Sequence, residues 1–463
     1  MQLTIMCGFS LYYAWYLITF FGIFMTAPTE ASFAEMHLGQ VAFFGSSVIA
    51  TIVVIGLFHH AGNVAIGHTR FLYLASFVPG LLLPLFVLIG SVVGYPPLPV
   101  FYLACVLSGA SVAIGFMLWE DLTTHCYLNH GVLAHGAIFC AGGIVFLTCT
   151  FALSSIGSCI VAILLLSLST ALLAFIMPRC DALEDKPVEP VRAYFRTTWH
   201  IDIVVAVINI AFGYAFMLLY QLDQAVLLAA MGIAIACDLG VSLVIGRGKW
   251  IVFAGSARIC TAFASCALIV LVLPGHATEI IALCTLVAFW FIFRTMNSGA
   301  LTDLANHHDC SVLYCSTRGK LPANAGFTIG LALGIGAIAC GSADVVRTFA
   351  PLGLVAVFIL TSLFFLPFDN ESTTAGYKTL ALVDMHQSPD TGQRRACETI
   401  IARCKLSPRE SEVLTYLVKG RNAKHIAEKL FVSESTVKTH ISNIYRKVGV
   451  HSQQELLDQL DRM

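Results

Sequence analysis

The residues that point most directly to a chemistry lie on one predicted helix near the C-terminus. Val437, Ile441, Ile444 and Val448 recur there with the 4-3-4 spacing of a buried helical face. At 100° per residue the opposite face presents hydroxyl, amide and cationic side chains. Such groups exchange hydrogen bonds with base edges and phosphate oxygens, and a helix that presents them fits the major groove of DNA. The pattern therefore predicts a DNA-reading helix.

The predicted contacts divide by the group they would meet. We assign Lys438, Thr439 and Ser442 to base edges, and Asn443 to a base or a phosphate. The predicted phosphate ligands are Lys424, Ser433, Ser435, Thr436, Arg446 and Lys447. A single lysine of this set would be interpreted as a solvated surface charge, and the shared face favours a binding role.

Short helices with marked ends must position this face. Ser407 and Glu410 have the spacing of a capping box, and Gly449 is placed to end the reading helix. Predicted N-caps of the three following helices are Asn422, Ser433 and Ser452. The sequence thus predicts a compact four-helix unit at 404–463, in which Arg409 and Glu410 form an internal ion pair.

The segment LSPRESEVLTYLVKGRNAKHIAEKLFVSESTVKTHISNIYRKVGVHSQQELL closely resembles the LuxR-type helix-turn-helix. The matching positions are Arg409-Glu410, Val413-Leu414, Gly420, Ile426-Ala427, Leu430, Ser433, Thr436-Val437-Lys438, His440, Asn443-Ile444, Lys447 and Val450. The resemblance implies that double-stranded promoter DNA is bound by a homodimer formed through the fourth helix, with RNA polymerase as a further partner. Membrane-bound LuxR-type regulators, which lack a phosphoacceptor receiver domain, are similar in overall plan.

The rest of the chain has the composition of a membrane protein. Of 463 residues 58% are hydrophobic and only 11% are charged, against about 25% charged in soluble domains. Apolar runs long enough to span a bilayer recur near 5–27, 41–58, 71–93, 99–118, 132–153, 156–177, 201–220, 225–246, 250–273, 277–296, 322–342 and 346–367. The prediction is an all-α chain: a bundle of about twelve spans at 1–367, a tether at 368–403 and the four-helix unit.

Loop charge predicts the orientation of the bundle. With the N-terminus in the cytoplasm, nearly all loop lysines and arginines face inward, as the positive-inside rule requires. An even number of spans then returns the C-terminus to the cytoplasm, so we expect a multi-pass protein of the cytoplasmic membrane. Trp119, Trp199 and Trp250 are predicted to lie at its cytoplasmic face.

The polar connection 178–200 divides the spans six and six, which resembles the architecture of the major facilitator superfamily. The superfamily's loop after the second span is degraded here: GLFHHAGNVAIGHTR retains Gly56, Gly62, Gly67 and Arg70 and lacks the acidic residue. The resemblance therefore implies a transporter-like fold more than transport.

Polar side chains inside spans are costly and mark candidate ligand sites. Asp238 and Arg258 are predicted to form an ion pair or to bind a small-molecule ligand, and Asn209 and Arg294 are further ligand candidates. The adjacent acids Glu120 and Asp121 are predicted to face a loop and be solvated.

Three further features of the sequence also lead to expectations. Two His/Cys clusters, near 125–135 and 307–315, lack regular zinc spacing and are interpreted as loop residues. The polar stretch 297–326 is predicted to be a long loop. Ser/His/Asp sets, phosphate loops and nucleotide fingerprints are absent from the sequence, so we predict neither an enzyme nor a cofactor or metal site.

The function predicted is a one-component regulator that senses a small molecule through its membrane half, with lipid around it and promoter DNA as its target. Two alternatives stay open: a secondary transporter with a regulatory tail, and a membrane partner that sequesters other proteins without binding DNA.

Overall fold

The chain forms two compact units, Met1–Leu382 and Val383–Met463. The computed structural model describes residues 2–22, 33–61, 69–126, 131–176, 195, 199–222, 224–247, 253–273, 275–307, 312–340, 351–355, 359, 404, 406–418, 427, 434–450, 452 and 455–456. Within these residues all regular structure is helical, which confirms the predicted all-α class.

The first unit is a bundle of long apolar helices. They are α1 (Gln2–Leu17, continued by a π-helical turn at Ile18–Gly22), α2 (Phe33–Ala61), α3 (Thr69–Gly80), α4 (Leu82–Val93), α5 (Leu98–Cys126), α6 (Gly131–Ala152), α7 (Ser155–Ile176), α8 (Trp199–Leu219), α9 (Gln224–Arg247), α10 (Phe253–Val272), α11 (His276–His307) and α12 (Val312–Ala339).

Ten segments of the described residues are long and apolar enough to cross a membrane. One of them, Leu74–Val93, combines α3 and α4. The ninth predicted run contributes a shorter apolar helix, Phe263–Val272, and the twelfth lies largely outside the described residues. The chain is therefore a multi-pass membrane protein.

The third span is interrupted at Leu81, two residues after Pro79. In a continuous helix the Leu83 N–H would bond to the Pro79 carbonyl. The Ser108 hydroxyl of α5 bridges these groups instead: it donates to the Pro79 oxygen at 2.9 Å and accepts from the Leu83 nitrogen at 3.2 Å. A backbone opening inside the membrane is thus satisfied by a neighbouring helix, as hydrocarbon surroundings require.

Glycines bring α8 and α12 into backbone contact. A Cβ atom at Gly326 or Gly330 would lie 2.1 Å from the carbonyl oxygen of Ala206 or Ile210, respectively. A Cβ atom at Gly213 of α8 would likewise lie 2.3 Å from the carbonyl oxygen of Phe327. The G-x-x-x-G spacing of α12 therefore serves close helix packing, as small residues do between membrane helices.

The core of the bundle is unusually aromatic around α1. Phe9, Tyr13 and Tyr16 of this helix pack against Phe116 of α5, and the Phe9 ring stacks on Trp119. Trp119 is 1% exposed, and its indole donates to Ser169 at 3.1 Å. Trp119 therefore packs inside the bundle, within a helix that continues to Cys126, and its position at the cytoplasmic face stays a prediction.

The predicted loop at 297–326 is wrong. Helix α11 runs to His307 and α12 begins at Val312, so most of this stretch is helical. Its small and polar residues face protein rather than water: Asn297, Ser298 and Ser316 are buried. The difference arises because small polar side chains that pack between helices have the same composition as a loop.

In the second unit the structure describes helices α13 (Pro408–Val418) and α14 (Glu434–Val448). The predicted capping box is confirmed: the Ser407 N–H donates to Glu410 Oε2 at 2.7 Å, and the Glu410 N–H donates to Ser407 Oγ at 3.3 Å. Gly449, with φ +82°, ends α14 as predicted. The core residues are Val413, Leu414, Leu417, Val418, Ala427, Val437, Ile444, Val450 and Leu456.

Candidate functional site: a membrane cavity and a polar helix face

A cavity lies between the two halves of the membrane unit. One side is formed by α1, α2 and α5, and the other by α8, α11 and α12. Its volume is about 80 Å³, against the roughly 10–15 Å³ that one water molecule needs. The cavity thus has room for a ligand the size of several water molecules.

Arg294 of α11 brings a positive charge to the cavity wall. Its guanidinium carbon lies 4.9 Å from the ring centres of Tyr13 and Tyr16, 5.0 Å from Phe116, 5.3 Å from Phe139 and 5.5 Å from Trp290. Five rings therefore surround one cation, and the attraction of each ring face stabilises the charge. Tyr16, Phe116 and Trp290 also line the cavity beside it.

A second charged cluster joins the halves at one end of the cavity. Glu120 of α5 accepts hydrogen bonds from Lys320 and Ser316, both on α12. Glu120 is only 3% exposed, and nearby the hydroxyls of Thr124 and Thr302 lie 3.2 Å apart. The expectation that the Glu120–Asp121 pair is solvated is therefore wrong, because both carboxylates are buried.

A polar contact also joins the halves near the end of α1. The side-chain amide of Gln40, on α2, donates to the Tyr220 hydroxyl at 2.8 Å and to the Phe20 carbonyl at 3.3 Å. The amide oxygen of Gln40 lies 2.7 Å from Nδ1 of His37. Tyr220 directly follows α8, so this contact links the first half to the second.

The predicted ligand residues separate into two groups. Arg294 and Asn209 line the cavity. Asp238 is 2% exposed, lies off the cavity wall and accepts a hydrogen bond from Thr295 at 2.7 Å. Arg258 belongs to α10, and its side chain is outside what the structure describes, so the Asp238–Arg258 pair stays a prediction.

The His/Cys clusters do not form a metal-ligand group among the described residues. His135, predicted to lie in a loop, is instead buried in α6, with Nδ1 2.8 Å from the Gly131 carbonyl. Cys315 is buried in α12, and its thiol donates to the Leu301 carbonyl at 3.5 Å. Both are packing residues of the bundle.

In the second unit α14 presents the predicted polar face. Ser435, Thr436, Lys438, Thr439, Ser442 and Arg446 are exposed, and Asn443 is half-buried. Arg446 donates to Asn443 Oδ1 at 3.0 Å, and the Thr439 hydroxyl donates to the Ser435 carbonyl at 3.0 Å. The opposite face is buried at Val437 and Ile444. Lys424 and Ser433 lie outside the described residues.

The ion pairs of this unit differ from the prediction. Arg409 pairs with Glu412 at 2.6 Å on an exposed face, whereas Glu410 pairs with Lys447 of α14 at 2.6 Å. The Lys447 hydrogen bond, together with the Ser407 N–H, lowers the pKa of Glu410 to about 2. Lys447 thus joins the two helices, and its phosphate contact stays a prediction.

Sequence reasoning missed the Glu120–Lys320 pair and the aromatic surroundings of Arg294. One signal was available: between Phe116 and Tyr127 there is neither proline nor glycine, so α5 had no residue at which to end after Leu118. The partners themselves are about 200 positions apart in the chain, and no local pattern connects them.

The membrane unit resembles solved transporters in fold. A bacterial homologue of the iron transporter ferroportin in its outward-facing state matches with a TM-score of 0.56 and 12% identity, over 81% of this chain and 98% of that chain. The major facilitator superfamily transporter FucP, in the outward conformation, matches with a TM-score of 0.49 and 12% identity, over 78% and 98%. At such identities the ferroportin homologue establishes a likeness of fold alone.

The second unit has close relatives in sequence. Fimbriae Z protein of Escherichia coli (strain K12) is 55% identical over 53 residues, which are 11% of this chain and 25% of that protein. The chain thus spans a quarter of the length of this relative. Spore germination protein GerE of Bacillus subtilis (strain 168) is 45% identical over 58 residues, 12% of this chain and 78% of that protein. Residues 405–460 match the family described as bacterial regulatory proteins, luxR family. Through this DNA-binding domain the chain belongs to the luxR family of bacterial regulatory proteins.

Proposed function

We propose that the chain is a membrane-embedded one-component transcriptional regulator. A small molecule binds in the cavity between the membrane halves, and the luxR-family domain binds promoter DNA in response. The observation that carries the proposal is the presence, in one chain, of a cavity lined by helices of both halves and a luxR-family domain in which the polar face of α14 is exposed.

The DNA-binding part rests on α14. Lys438, Thr439 and Ser442 read base edges, and Asn443 meets a base or a phosphate. Lys424, Ser433, Ser435, Thr436, Arg446 and Lys447 hold phosphates. A single domain makes few contacts, so a homodimer through the fourth helix supplies the affinity, and RNA polymerase is the downstream partner. The chain lies in the cytoplasmic membrane with both termini in the cytoplasm, since DNA is reached only from that side.

The sensing part of the proposal follows from the coupling between ligand binding and the conformational equilibrium of the membrane unit. A ligand shifts the equilibrium between two conformations only by its difference in affinity for them. A cavity whose walls come from both halves changes shape when the halves move, so a ligand there distinguishes the conformations. Arg294 and Asn209 contact the ligand. Asp238 and Arg258 form the predicted ion pair near the site and do not contact the ligand.

The test compares the full chain with a Lys438→Ala/Thr439→Ala variant in a host that lacks the gene. Chromatin immunoprecipitation of the intact chain should enrich a small set of promoters, and the variant should lose at least ten-fold of that enrichment, since each base-edge contact contributes about 1–3 kcal/mol. Arg409→Ala, an exposed arginine of α13 paired only with Glu412 in the described structure, is the matched control and should keep the enrichment. Equal enrichment by both the intact chain and the double variant would contradict DNA reading by α14.

A second candidate is a secondary transporter with an appended regulatory tail. The observation in its favour is the fold shared with the outward-facing ferroportin homologue. Uptake of a labelled substrate that continues after deletion of residues 393–463 would support this candidate, and uptake absent from both the intact and the truncated chain would favour the sensor.

A further inference from the structure

We propose that the ligand of the membrane cavity is a small organic monoanion, a carboxylate on a flat apolar body, with Arg294 as the residue that pairs with the carboxylate. The inference rests on the proposed sensing function and assigns the chemical class of its ligand.

The first step concerns the charge of Arg294. Within the described part of the chain, no carboxylate lies within ion-pair distance of its guanidinium. Asp238 is close enough for a through-space attraction, but it lies off the cavity wall and is hydrogen-bonded to Thr295. The aromatic rings stabilise the cation and leave most of its N–H groups without an anionic acceptor. A charge so placed within a membrane span is costly, and an anionic ligand offsets that cost.

The second step concerns the neighbours of Arg294 on α11. Asn297 and Ser298 lie three and four residues further on, so they share its helical face. Both line the cavity, with exposures of 6% and 2%. The Ser298 hydroxyl is buried and has no hydrogen-bond partner among the described residues. A guanidinium, an amide and a free hydroxyl on one helix face form a donor set suited to carboxylate oxygens.

The third step concerns the number of charges. Lys320 also lines the cavity, but Glu120 compensates it. The lining therefore carries one net positive charge, from Arg294. A dianion would have to break the Glu120–Lys320 pair, and a cation would meet Arg294 directly, so a single negative charge fits best.

The fourth step concerns the body of the ligand. The walls beside Arg294 are aromatic: Phe44, Phe116, Trp290, Phe293 and Phe327. Such rings favour a flat apolar group that can stack on a face or an edge. Buried apolar contact supplies affinity, and the carboxylate fixes the orientation.

The experiment uses the detergent-solubilised full chain and three probes of similar shape: benzoate, its neutral analogue benzamide, and the cation benzylammonium. Binding is followed through the unfolding midpoint and through the tryptophan fluorescence, to which Trp290 of the cavity contributes. We expect benzoate to raise the midpoint, by an amount that grows with the logarithm of its concentration once that concentration exceeds the dissociation constant. Benzamide and benzylammonium should bind at least ten-fold more weakly. Arg294→Gln should weaken benzoate at least ten-fold, Arg294→Lys less, and Ser298→Ala a few-fold.

Arg318→Gln is the matched control, since Arg318 pairs with Asp202 at 2.5 Å and does not line the cavity. It should keep the benzoate affinity of the unmodified chain. The comparison of the three probes uses the unmodified chain, so it tests the charge of the ligand even where Arg294→Gln does not fold. Failure of benzoate to bind, or benzamide binding as tightly, would overturn the anion assignment. Benzamide binding would leave the sensing function intact, because that function fails only when promoter binding or its response to ligand is lost.

Discussion

The Glu410–Lys447 pair makes the stability of the luxR-family domain depend on acid pH. Glu410 closes the capping box of α13 and contacts Lys447 on α14, so one carboxylate connects the two helices. These contacts lower its pKa from 4.5 to about 2. A carboxylate with a lowered folded-state pKa adds stability above its unfolded pKa and loses it as the pH falls through the folded one. We therefore expect stability to be lost between about pH 4.5 and pH 2.

The magnitude follows from the same geometry. Since one pKa unit corresponds to about 1.4 kcal/mol, the full shift sets an upper limit of about 3 kcal/mol. The Lys447 side chain is 35% exposed, so solvent screens the pair, and we expect about 1–2 kcal/mol. Glu410→Gln should therefore lower the free energy of unfolding by about 1–2 kcal/mol at pH 7 and should have little effect at pH 2.

The assay is urea unfolding of residues 383–463, followed by circular dichroism at 222 nm from pH 7 to pH 2. This unit is compact by itself and has its own apolar core, so we expect it to fold alone. Glu412→Gln is the matched control, because its partner Arg409 is 56% exposed and such pairs contribute about 0.5 kcal/mol. The reasoning is refuted if Glu410→Gln and the unmodified unit lose stability equally between pH 4.5 and pH 2, or if Glu412→Gln costs as much at pH 7.

Three further perturbations test the packing of each unit. Gly449→Ala should destabilise the 383–463 unit by about 1 kcal/mol in the same urea assay, because a φ of +82° is strained for a residue with a Cβ atom; an unchanged midpoint would contradict this. Gly330→Val should lower the unfolding midpoint of the solubilised full chain by several degrees, since a Cβ atom there meets the Ile210 carbonyl, whereas Gly336→Ala, which meets open space, should not. Ser108→Ala should lower the same midpoint, because the Pro79 carbonyl and the Leu83 N–H lose their shared partner, a loss that costs about 1–2 kcal/mol; Ser91→Ala, whose hydroxyl donates to the Leu88 carbonyl within its own helix, is the control.

The features predicted correctly from the sequence are those set by neighbours in the chain. The capping box joins residues three apart, and the buried face of α14 repeats every three or four residues. Gly449 ends its helix because of its own backbone freedom. Each of these signals is contained in a short window, so a single sequence is enough to find it.

The features missed depend on long-range contacts. Composition alone does not show whether a polar side chain at the end of a span contacts water or another helix. The sequence therefore predicts a solvated Glu120, whereas in the structure Glu120 pairs with Lys320. The same ambiguity made the ends of α11 and α12 look like a loop. Arg294 was identified as a candidate, but its aromatic cage draws on α1, α5 and α6, which only the tertiary fold brings together.

A transporter-like fold suits a sensor because both tasks need two conformations of the same two halves. In this chain Glu120–Lys320 and Gln40–Tyr220 each hold the halves together, so conformations in which the halves separate must break one of them. If the two conformations are nearly balanced, a ligand that favours one by about 3 kcal/mol changes their ratio more than a hundred-fold. A cavity with one net charge and aromatic walls can supply that difference through a single charge-assisted contact and the stacking of one ring. The proposed sensing function therefore requires that the free energy of ligand binding be comparable to that of the contacts between the halves, and it does not itself require a complete transport cycle.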